Sequence, residues 1–241
     1  MREKNYIENL AQWDKIETYS RWMYSNYEKF IGNRVLDIGA GIGNMTAFYV
    51  DSVKLAVATD IFPEQLTIIN ERFQDKPNFT SFILDLTKPD LAAVREYCFD
   101  TIICINVLEH IEDDLSALEN MRDMLDDKGR VVLVVPAHMA LYNHMDEYTG
   151  HYRRYNKGEL AKLAQAAGMK VIYSRHFNLL GIPVYYVKGK TSGKKNRNSS
   201  FSMTITESSS KLYNFATFFL KPLESIFRVP AGISEIMVLE K

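Results

Sequence analysis

Cysteine is scarce in this sequence, and its two cysteines, Cys98 and Cys104, lie in or beside an apolar run. A disulfide framework is therefore not indicated, and a reducing cytoplasm is the expected compartment. Long apolar runs are also missing, because stretches such as FNLLGIPVYYV are too short to span a bilayer. The first 15 residues, MREKNYIENLAQWDK, contain no apolar core of the kind that a signal peptide needs.

An excess of charge of either sign is missing as well. The formal net charge of −1 gives no general attraction to nucleic acid or to anionic membranes, so no nucleic-acid partner is expected. What the chain does have is apolar content: hydrophobic residues make up 46% of 241 residues. That fraction is enough to build the full core of one large α/β domain.

Short apolar runs alternate with helical segments along the chain. This alternation predicts a doubly wound parallel sheet with helices on both faces. The clearest helical segment spans 112–129, and Gly129 is expected to end it. The seven runs that predict strands are RVLDIG (34–39), KLAVATD (54–60), NFTSFILD (78–85), FDTIICIN (99–106), RVVLVVP (130–136), MKVIYSRHF (169–177) and ISEIMVLEK (233–241).

Three parts of the chain differ in character. Residues 1–30 are predicted to form a helical segment that packs outside the sheet. Residues 31–176 together with 231–241 form the predicted sheet domain. Residues 177–230 exceed the usual loop length and predict a helical insertion before the last strand, a substrate lid or cap with a mobile basic loop over 188–211. The aromatic residues of this insertion leave peripheral contact with a membrane surface as an alternative.

A glycine-rich turn follows the first predicted strand, in the stretch VLDIGAGIGN. Glycines let the backbone turn sharply and approach a ligand closely, and the helix predicted to follow would offer free N–H groups. The dinucleotide-binding pattern requires a third glycine where Asn44 stands, so the spacing is GxGxG. With Asp37 in front, the turn resembles the first motif of class I S-adenosylmethionine-dependent methyltransferases. The glycines concerned are Gly39, Gly41 and Gly43.

The resemblance continues at the next strand ends, from about Arg34 to Phe177, and returns at the last strand. It implies S-adenosylmethionine as cofactor, methyl transfer as the reaction, and a mostly parallel seven-stranded sheet whose last strand is antiparallel. Asp60, followed by Ile61, stands where a carboxylate can accept hydrogen bonds from ribose hydroxyls. Asp85 and Leu86 stand where such enzymes hold the adenine, and Asn106 is expected to line the cleft.

No metal is expected from the sequence. Metal-dependent catechol-type relatives place an aspartate near the end of strand four, where this chain has Asn106, Val107 and Leu108. No group of cysteine and histidine residues has the spacing of a zinc site either. The neighbouring His110 is interpreted as a residue that orders the loop after strand four.

The segment HMDEYTGHYRRY, residues 144–155, follows the fifth strand and is expected at the cleft mouth. His151 is the predicted general base because an unperturbed imidazole titrates near neutrality, and Asp146 is its predicted orienter or an alternative base. The arginines are predicted to bind an anionic substrate group and the tyrosines to wall the acceptor. Alternatively, Asp146 and one arginine pair and hold the segment together. The predicted substrate-binding residues are Tyr148, Tyr152, Arg153, Arg154 and Tyr155.

The function expected from the sequence is metal-independent O-methylation of a small, glycan-like or lipid-linked acceptor that is hydroxylated and anionic. A nicotinamide-dependent oxidoreductase of the same fold and a non-catalytic cofactor-binding module remain as alternatives. Asn44 disfavours the first of these, and the crowded 144–155 segment disfavours the second. The oligomeric state stays open.

Overall fold

The computed structural model describes residues 17–179, 181–192, 224 and 229–241. These residues build one mixed sheet of seven strands with helices on both faces. The strands are β1 Arg34–Ile38, β2 Leu55–Asp60, β3 Phe79–Ile83, β4 Phe99–Ile105, β5 Leu125–Pro136, β6 Lys170–Phe177 and β7 Ser234–Glu240. The helices are α1 Glu17–Tyr24, α2 Pro63–Arg72, α3 Leu91–Arg95, α4 Asp114–Met124, α5 His144–Thr149, α6 Glu159–Ala166 and α7 Gly181–Ser192.

The strand order is β3-β2-β1-β4-β5-β7-β6. The pairings between β1, β2, β3, β4 and β5 are parallel, whereas β7 is antiparallel to both β5 and β6. The predicted doubly wound sheet with an antiparallel last strand is therefore confirmed. From β1, successive strands are added first toward one side of the sheet (β2, β3) and then, from β4, toward the other. Open α/β sheets bind ligands at the carboxyl edge beside such a point of reversal.

Alternate residues of each central strand enter two separate hydrophobic cores. Val35 belongs to the core under α1 and α2, and its neighbour Leu36 belongs to the core under α3, α4 and α6. The same alternation recurs in β5, where Val131 and Val132 pack on opposite faces. Burial on both faces explains why these strands read as continuous apolar runs. Each fully buried side chain of this size contributes roughly 2 kcal/mol.

Helix α1 closes one side of the sheet with aromatic residues. Trp22 is buried, and its ring centroid lies 4.4 Å from that of Phe177 at the end of β6. The described part of the predicted N-terminal helical segment is thus a helix against the sheet. Residues 1–16 of that segment lie outside the described residues. Most of the predicted basic loop over 188–211 does so as well.

Two predicted helices differ in the structure. No α-helix follows the glycine turn; two short 3-10 turns stand there, at Thr46–Phe48 and Val50–Ser52. The helix predicted to end at Gly129 ends at Met124, because Leu125 turns to extended backbone and buries its side chain at the start of β5.

Helix α7 lies within the predicted helical insertion, although no helix was predicted over its own range. Pro183 lies in its first turn, where a missing N–H costs no hydrogen bond. None of the helices within the described residues is both long and apolar enough to cross a membrane.

Candidate functional site

The chain turns sharply where the strands end at the carboxyl edge. Gly39 follows β1 with a φ of 68°, and Asn106 follows β4 with a φ of 53°. His138 and Asn178 also have positive φ, at 64° and 63°, close after β5 and β6. Positive φ is uncommon for residues other than glycine and concentrates at functional sites. A functional site is therefore expected at the turns along this edge.

The glycine turn is organised around the buried carboxylate of Asp37, which is 3% exposed. Its Oδ2 accepts hydrogen bonds from the Thr46 hydroxyl at 2.7 Å and the Tyr49 hydroxyl at 2.8 Å. Thr46 belongs to the first of the 3-10 turns that replace the predicted helix, and Tyr49 lies between the two turns. Burial raises the pKa of Asp37 to about 6, against the lowering effect of these two hydrogen bonds. Asp37 thus connects the end of β1 to the turns that follow it through two hydrogen bonds.

Glycine is required in this turn for space as well as for its dihedral angles. A Cβ on Gly39 would lie 2.4 Å from Cγ2 of Val107, in the turn after β4. A Cβ on Gly43 would lie 2.6 Å from the ring of Phe73. The glycine turn and the turn after β4 are therefore in direct contact, which fixes the two parts of the site relative to each other.

We expect Gly39→Ala to lower the free energy of unfolding by about 2–5 kcal/mol, from left-handed strain plus overpacking. Gly158 is the matched control, because its φ is 80° but no atom lies within 4 Å of a Cβ placed there. Gly158→Ala should lose only about 1–2 kcal/mol, the strain alone. Urea denaturation of both variants measures the difference, and equal losses would contradict the clash with Val107.

Asp60 ends β2 beside the glycine turn and is buried. Its Oδ2 accepts the backbone N–H of Gly41 at 3.0 Å, and its Oδ1 accepts that of Phe62 at 3.1 Å. Burial raises the pKa of this carboxyl, while hydrogen bonds from the backbone of Phe62, Gly41 and Ile61 lower it. A carboxylate offers about four acceptor positions, so capacity remains for a further hydroxyl donor.

The other residues predicted to bind the cofactor lie along the same edge. Ile61 is 55% exposed next to Asp60. Asp85 is exposed, and hydrogen bonds from the hydroxyl and the backbone of Thr87 hold its pKa below its usual range. Leu86 is buried, and Asn106 is exposed with its backbone N–H donating to Val134 at 2.8 Å. The structure therefore brings all the predicted strand-end positions to one edge of the sheet.

The raised pKa of Asp37 predicts a pH-dependent stability. Its folded pKa of about 6 exceeds the ordinary 3.8, so the folded state holds this proton more tightly than the unfolded state does. Stability from this group is therefore lost as pH rises from about 4 to 6, and the loss persists at higher pH. Asp37→Asn keeps an oxygen acceptor without the charge.

We expect Asp37→Asn to stabilise the cofactor-free protein by about 1–3 kcal/mol at pH 8, and by little at pH 4.5. Urea denaturation at the two pH values tests this. The exposed Asp127, changed to asparagine, serves as the control and should show no such difference. A change in stability for Asp37→Asn that is the same at both pH values would contradict the assignment.

The second part of the site is the segment 144–155, which begins with the short helix α5. Asn143 and Asp146 form a capping box, with the Asn143 N–H donating to Oδ2 of Asp146 at 3.0 Å. Gly150 ends the helix in the left-handed conformation. The chain then returns to the sheet, where Tyr155 bridges Ala137 just beyond β5.

Asp146 is fully buried at the centre of this segment. Its Oδ1 lies 2.9 Å from Nδ1 of His151 and accepts from Arg154 Nε at 2.9 Å and Nη2 at 2.8 Å. Its Oδ2 accepts the hydroxyl of Tyr185 in α7 at 3.0 Å. Although burial alone raises the pKa of Asp146, the hydrogen bonds from His151 and Arg154 hold it at about 2. Asp146 is therefore ionised and contacts three side chains of the site, those of His151, Arg154 and Tyr185.

His151 meets two residues of the 3-10 turn Leu108–His110 after β4, and we call Glu109, His110 and His151 the histidine–carboxylate cluster. Nε2 of His151 lies 3.9 Å from Oε1 of Glu109, and the His110 and His151 rings meet edge to face at 4.7 Å. Burial raises the pKa of Glu109 to about 8. Burial and the neighbouring His151 lower the pKa of His110 to about 4.

Two of the predicted substrate-binding residues require correction. Arg154 is 4% exposed and bound to Asp146, with its guanidinium over the Tyr185 ring, so it does not face a cleft. Tyr155 is 3% exposed in the hydrophobic core, and its hydroxyl donates to Asp114. Sequence pattern alone places both side chains at the surface, whereas tertiary pairing buries them.

The remaining predicted substrate residues are accessible. Tyr148 and Tyr152 are about half exposed, at 46% and 53%. Arg153 is partly exposed and already paired, with Nη1 2.8 Å from Asp114 and Nη2 donating to the Glu112 carbonyl at 2.5 Å. The pairing of Asp146 with one arginine, which was the alternative prediction, is observed for Arg154. The contact between Asp146 and His151 is observed as well.

Glu109 and Tyr185 were not among the site residues predicted from the sequence. An acid directly after a buried strand and inside the run NVLEHI was a detectable signal for Glu109, because charged residues are rarely buried without function or partner. Tyr185 gave no such signal, since its contact with Asp146 depends on the position of α7.

Comparison with known proteins assigns most of the chain to one protein family. Residues 14–174 match the family described as methyltransferase domain. A ubiquinone biosynthesis O-methyltransferase of Xanthomonas euvesicatoria is 28% identical over 153 residues, which are 58% of this chain and 64% of that protein. The chain thus matches somewhat less than two thirds of the length of that relative.

Two solved structures share the fold. A SAM dependent methyltransferase from Archaeoglobus fulgidus has a TM-score of 0.56 at 14% identity, covering 91% of each chain. Phosphoethanolamine N-methyltransferase 2 of Haemonchus contortus, in complex with S-adenosyl-L-methionine, has a TM-score of 0.57 at 15% identity, covering 88% of this chain and 49% of that one.

The geometry of the glycine turn fits the cofactor of this family. The turn has no room for side chains at Gly39 and Gly43, and the buried carboxylate of Asp60 at the adjoining strand end retains capacity to accept from a ribose hydroxyl. The chain therefore belongs to the family described as methyltransferase domain.

Proposed function

We propose that this enzyme methylates a hydroxyl oxygen of a small acceptor, without a metal requirement, and that His151 is the general base with Asp146 as its orienter. The observation on which this rests is the 2.9 Å contact between Nδ1 of His151 and Oδ1 of Asp146. An ionised carboxylate at Nδ1 favours the tautomer with its proton on that nitrogen. Nε2 is then the basic atom.

The chemistry at Nε2 follows from that orientation. S-adenosylmethionine, when bound, supplies an electrophilic methyl group on a sulfonium. The acceptor oxygen forms a bond to that methyl carbon, the carbon–sulfur bond breaks, and its electron pair remains on sulfur. His151 Nε2 takes the hydroxyl proton in the same step. Asp146 stabilises the resulting imidazolium while its own charge stays buried beside Arg154.

The position of His151 supports this role. The turn Leu108–His110, which contacts His151, begins one residue after Val107, the residue in van der Waals reach of Gly39. The base therefore lies at the same sheet edge as the cofactor-binding turn. The side chain of His151 is 15% exposed, so it is shielded from bulk water but accessible to an acceptor.

The proposed acceptor is a small hydroxylated molecule, phenolic or sugar-like, free or lipid-linked. The curated relatives named ubiquinone biosynthesis O-methyltransferase support transfer to oxygen. Both candidate arginines already have protein partners, so the acceptor's charge is not part of this proposal.

Residues 177–230 are proposed to cap the acceptor site. Helix α7 lies in this range, and its Tyr185 reaches the buried carboxylate that orients the base. The ring of Tyr185 also lies 4.3 Å from the Arg154 guanidinium carbon. A cap that contacts Asp146 through a hydrogen bond and Arg154 through a cation–π interaction would order the base when the cap is in place.

The test is S-adenosylhomocysteine formation with a panel of phenols, catechols, sugars, sugar phosphates and primary amines. For each acceptor that reacts, the matched control is its methyl ether, which has no transferable proton. We expect turnover with hydroxylated acceptors and none with the ethers. Methylation of amines with no hydroxylated acceptor active would overturn the proposal of O-methyl transfer.

A further inference from the structure

We propose that the histidine–carboxylate cluster is a binding site for a divalent transition-metal ion, and that an ion bound there blocks methyl transfer by occupying Nε2 of His151. The binding half of this proposal stands independently. The inhibition half rests on the proposed function, since it requires His151 to act as the base. The site would thus regulate the enzyme through metal availability.

The cluster has the dimensions of a loosely preformed metal site. One ligand atom each from Glu109, His110 and His151 lies within 4.8 Å of the other two. Glu109 is fully buried, and neither of its carboxylate oxygens has a hydrogen-bond partner among the described residues. A buried carboxyl without a partner is costly, and a cation at this point would satisfy both oxygens.

Both imidazoles are held in orientations that suit ligation. Asp146 contacts Nδ1 of His151, which directs Nε2 toward Glu109. His110 is hydrogen-bonded to the backbone of Gly150, which leaves its other ring nitrogen for a ligand. A carboxylate or a backbone group behind a ligating imidazole is the usual arrangement around protein metal ions, because it fixes the tautomer and the ring.

The charges around the cluster favour a cation. Asp146 is neutralised by the bidentate contact with Arg154, so it does not compete for the ion. Glu109 is the remaining acid, and its position between two imidazoles gives a set of two nitrogen ligands and one carboxylate. That set suits zinc, cobalt and related ions, whereas magnesium and calcium prefer oxygen ligands throughout.

The proposed site differs from the metal sites considered from the sequence, which were an aspartate near the end of strand four and short spacings of cysteine and histidine. Here Glu109 and His110 follow β4 while His151 comes from the segment after α5, and only the fold joins them. Three protein ligands leave positions for water or another small ligand.

The binding test is a titration of the cofactor-free full chain with Co²⁺, followed by visible absorption. We expect one equivalent of Co²⁺ to give the d–d bands of nitrogen and oxygen ligation. Glu109→Gln and His110→Gln should each weaken Co²⁺ binding at least tenfold. His144→Gln is the matched control, a histidine of the same segment outside the cluster, and should bind as the parent does.

Thermal unfolding of each variant shows whether it is folded, and two variants on different ligands keep the test decisive if one of them is not. No stoichiometric Co²⁺ band in the parent, or cluster variants that bind as tightly as His144→Gln, would overturn the metal site.

The inhibition test compares methyl transfer with added Zn²⁺ and with a chelator. We expect Zn²⁺ to lower turnover at least tenfold and the chelator to restore it. Methyl transfer without any metal binding would overturn the metal site and leave the proposed function standing. Metal binding without transfer to any hydroxyl would do the reverse. An ion that raises turnover would overturn the competition for Nε2 and the assignment of His151 as base.

Discussion

His151→Ala is expected to lower turnover with a hydroxylated acceptor by roughly a hundredfold or more, the usual scale for loss of a general base. The affinity for S-adenosylhomocysteine should hardly change, because His151 is not assigned to the adenosine. The variant should stay folded, since Asp146 keeps its contacts with Arg154, Asn143 and Tyr185. Measurements in the presence of a chelator exclude any effect of a bound ion.

The matched control is His144→Ala, which removes an imidazole from the same segment without touching the cluster. It should retain most of the turnover. Full activity of His151→Ala with the true acceptor would remove the base assignment. Loss of cofactor binding or unfolding in His151→Ala would instead mean that the 144–155 segment has a structural role only.

The sheet and its cofactor edge were predictable because they depend on local pattern. Strands buried on both faces must be apolar runs, and their ends were marked by residues such as Gly39, Asp60 and Asn106. Alternation with helices then predicts a doubly wound parallel sheet. No long-range contact was needed to predict that these positions share one edge.

The parts that could not be predicted depend on pairing between distant side chains. The helix expected after the glycine turn is replaced by two 3-10 turns, and the hydroxyls of Thr46 in the first turn and Tyr49 between the turns donate to Asp37. The contact between Tyr185 and Asp146 arises because α7 returns to the 144–155 segment. Composition and spacing carry no information on such contacts.

The 144–155 segment was predictable from the sequence only in part. Its composition correctly indicated a crowded polar centre, and the pair of His151 and Asp146 is in contact. The same composition did not distinguish arginines that face solvent from one that is buried. Arg154 is buried because the ionised Asp146 requires a cation beside it, and that requirement is visible only once Asp146 is known to be fully buried.

Asp60→Ala is expected to weaken the binding of S-adenosylhomocysteine by roughly ten- to a hundredfold, because hydrogen bonds to a charged acceptor are worth about 1.5–3 kcal/mol. Asp127→Ala, which removes an exposed carboxylate elsewhere, is the control and should bind normally. Because Asp60 also accepts the N–H of Gly41, weaker binding in the variant has a second explanation in the loosened turn.

A 2′-deoxy analogue of S-adenosylhomocysteine separates the two explanations. If Asp60 binds the ribose, the analogue should bind more weakly to the parent, and Asp60→Ala should lose much less affinity for the analogue than for S-adenosylhomocysteine. The two losses are then not additive, as expected for groups in direct contact. Additive losses in calorimetric titrations would mean that Asp60 acts through the glycine turn, and wild-type affinity in Asp60→Ala would exclude both roles.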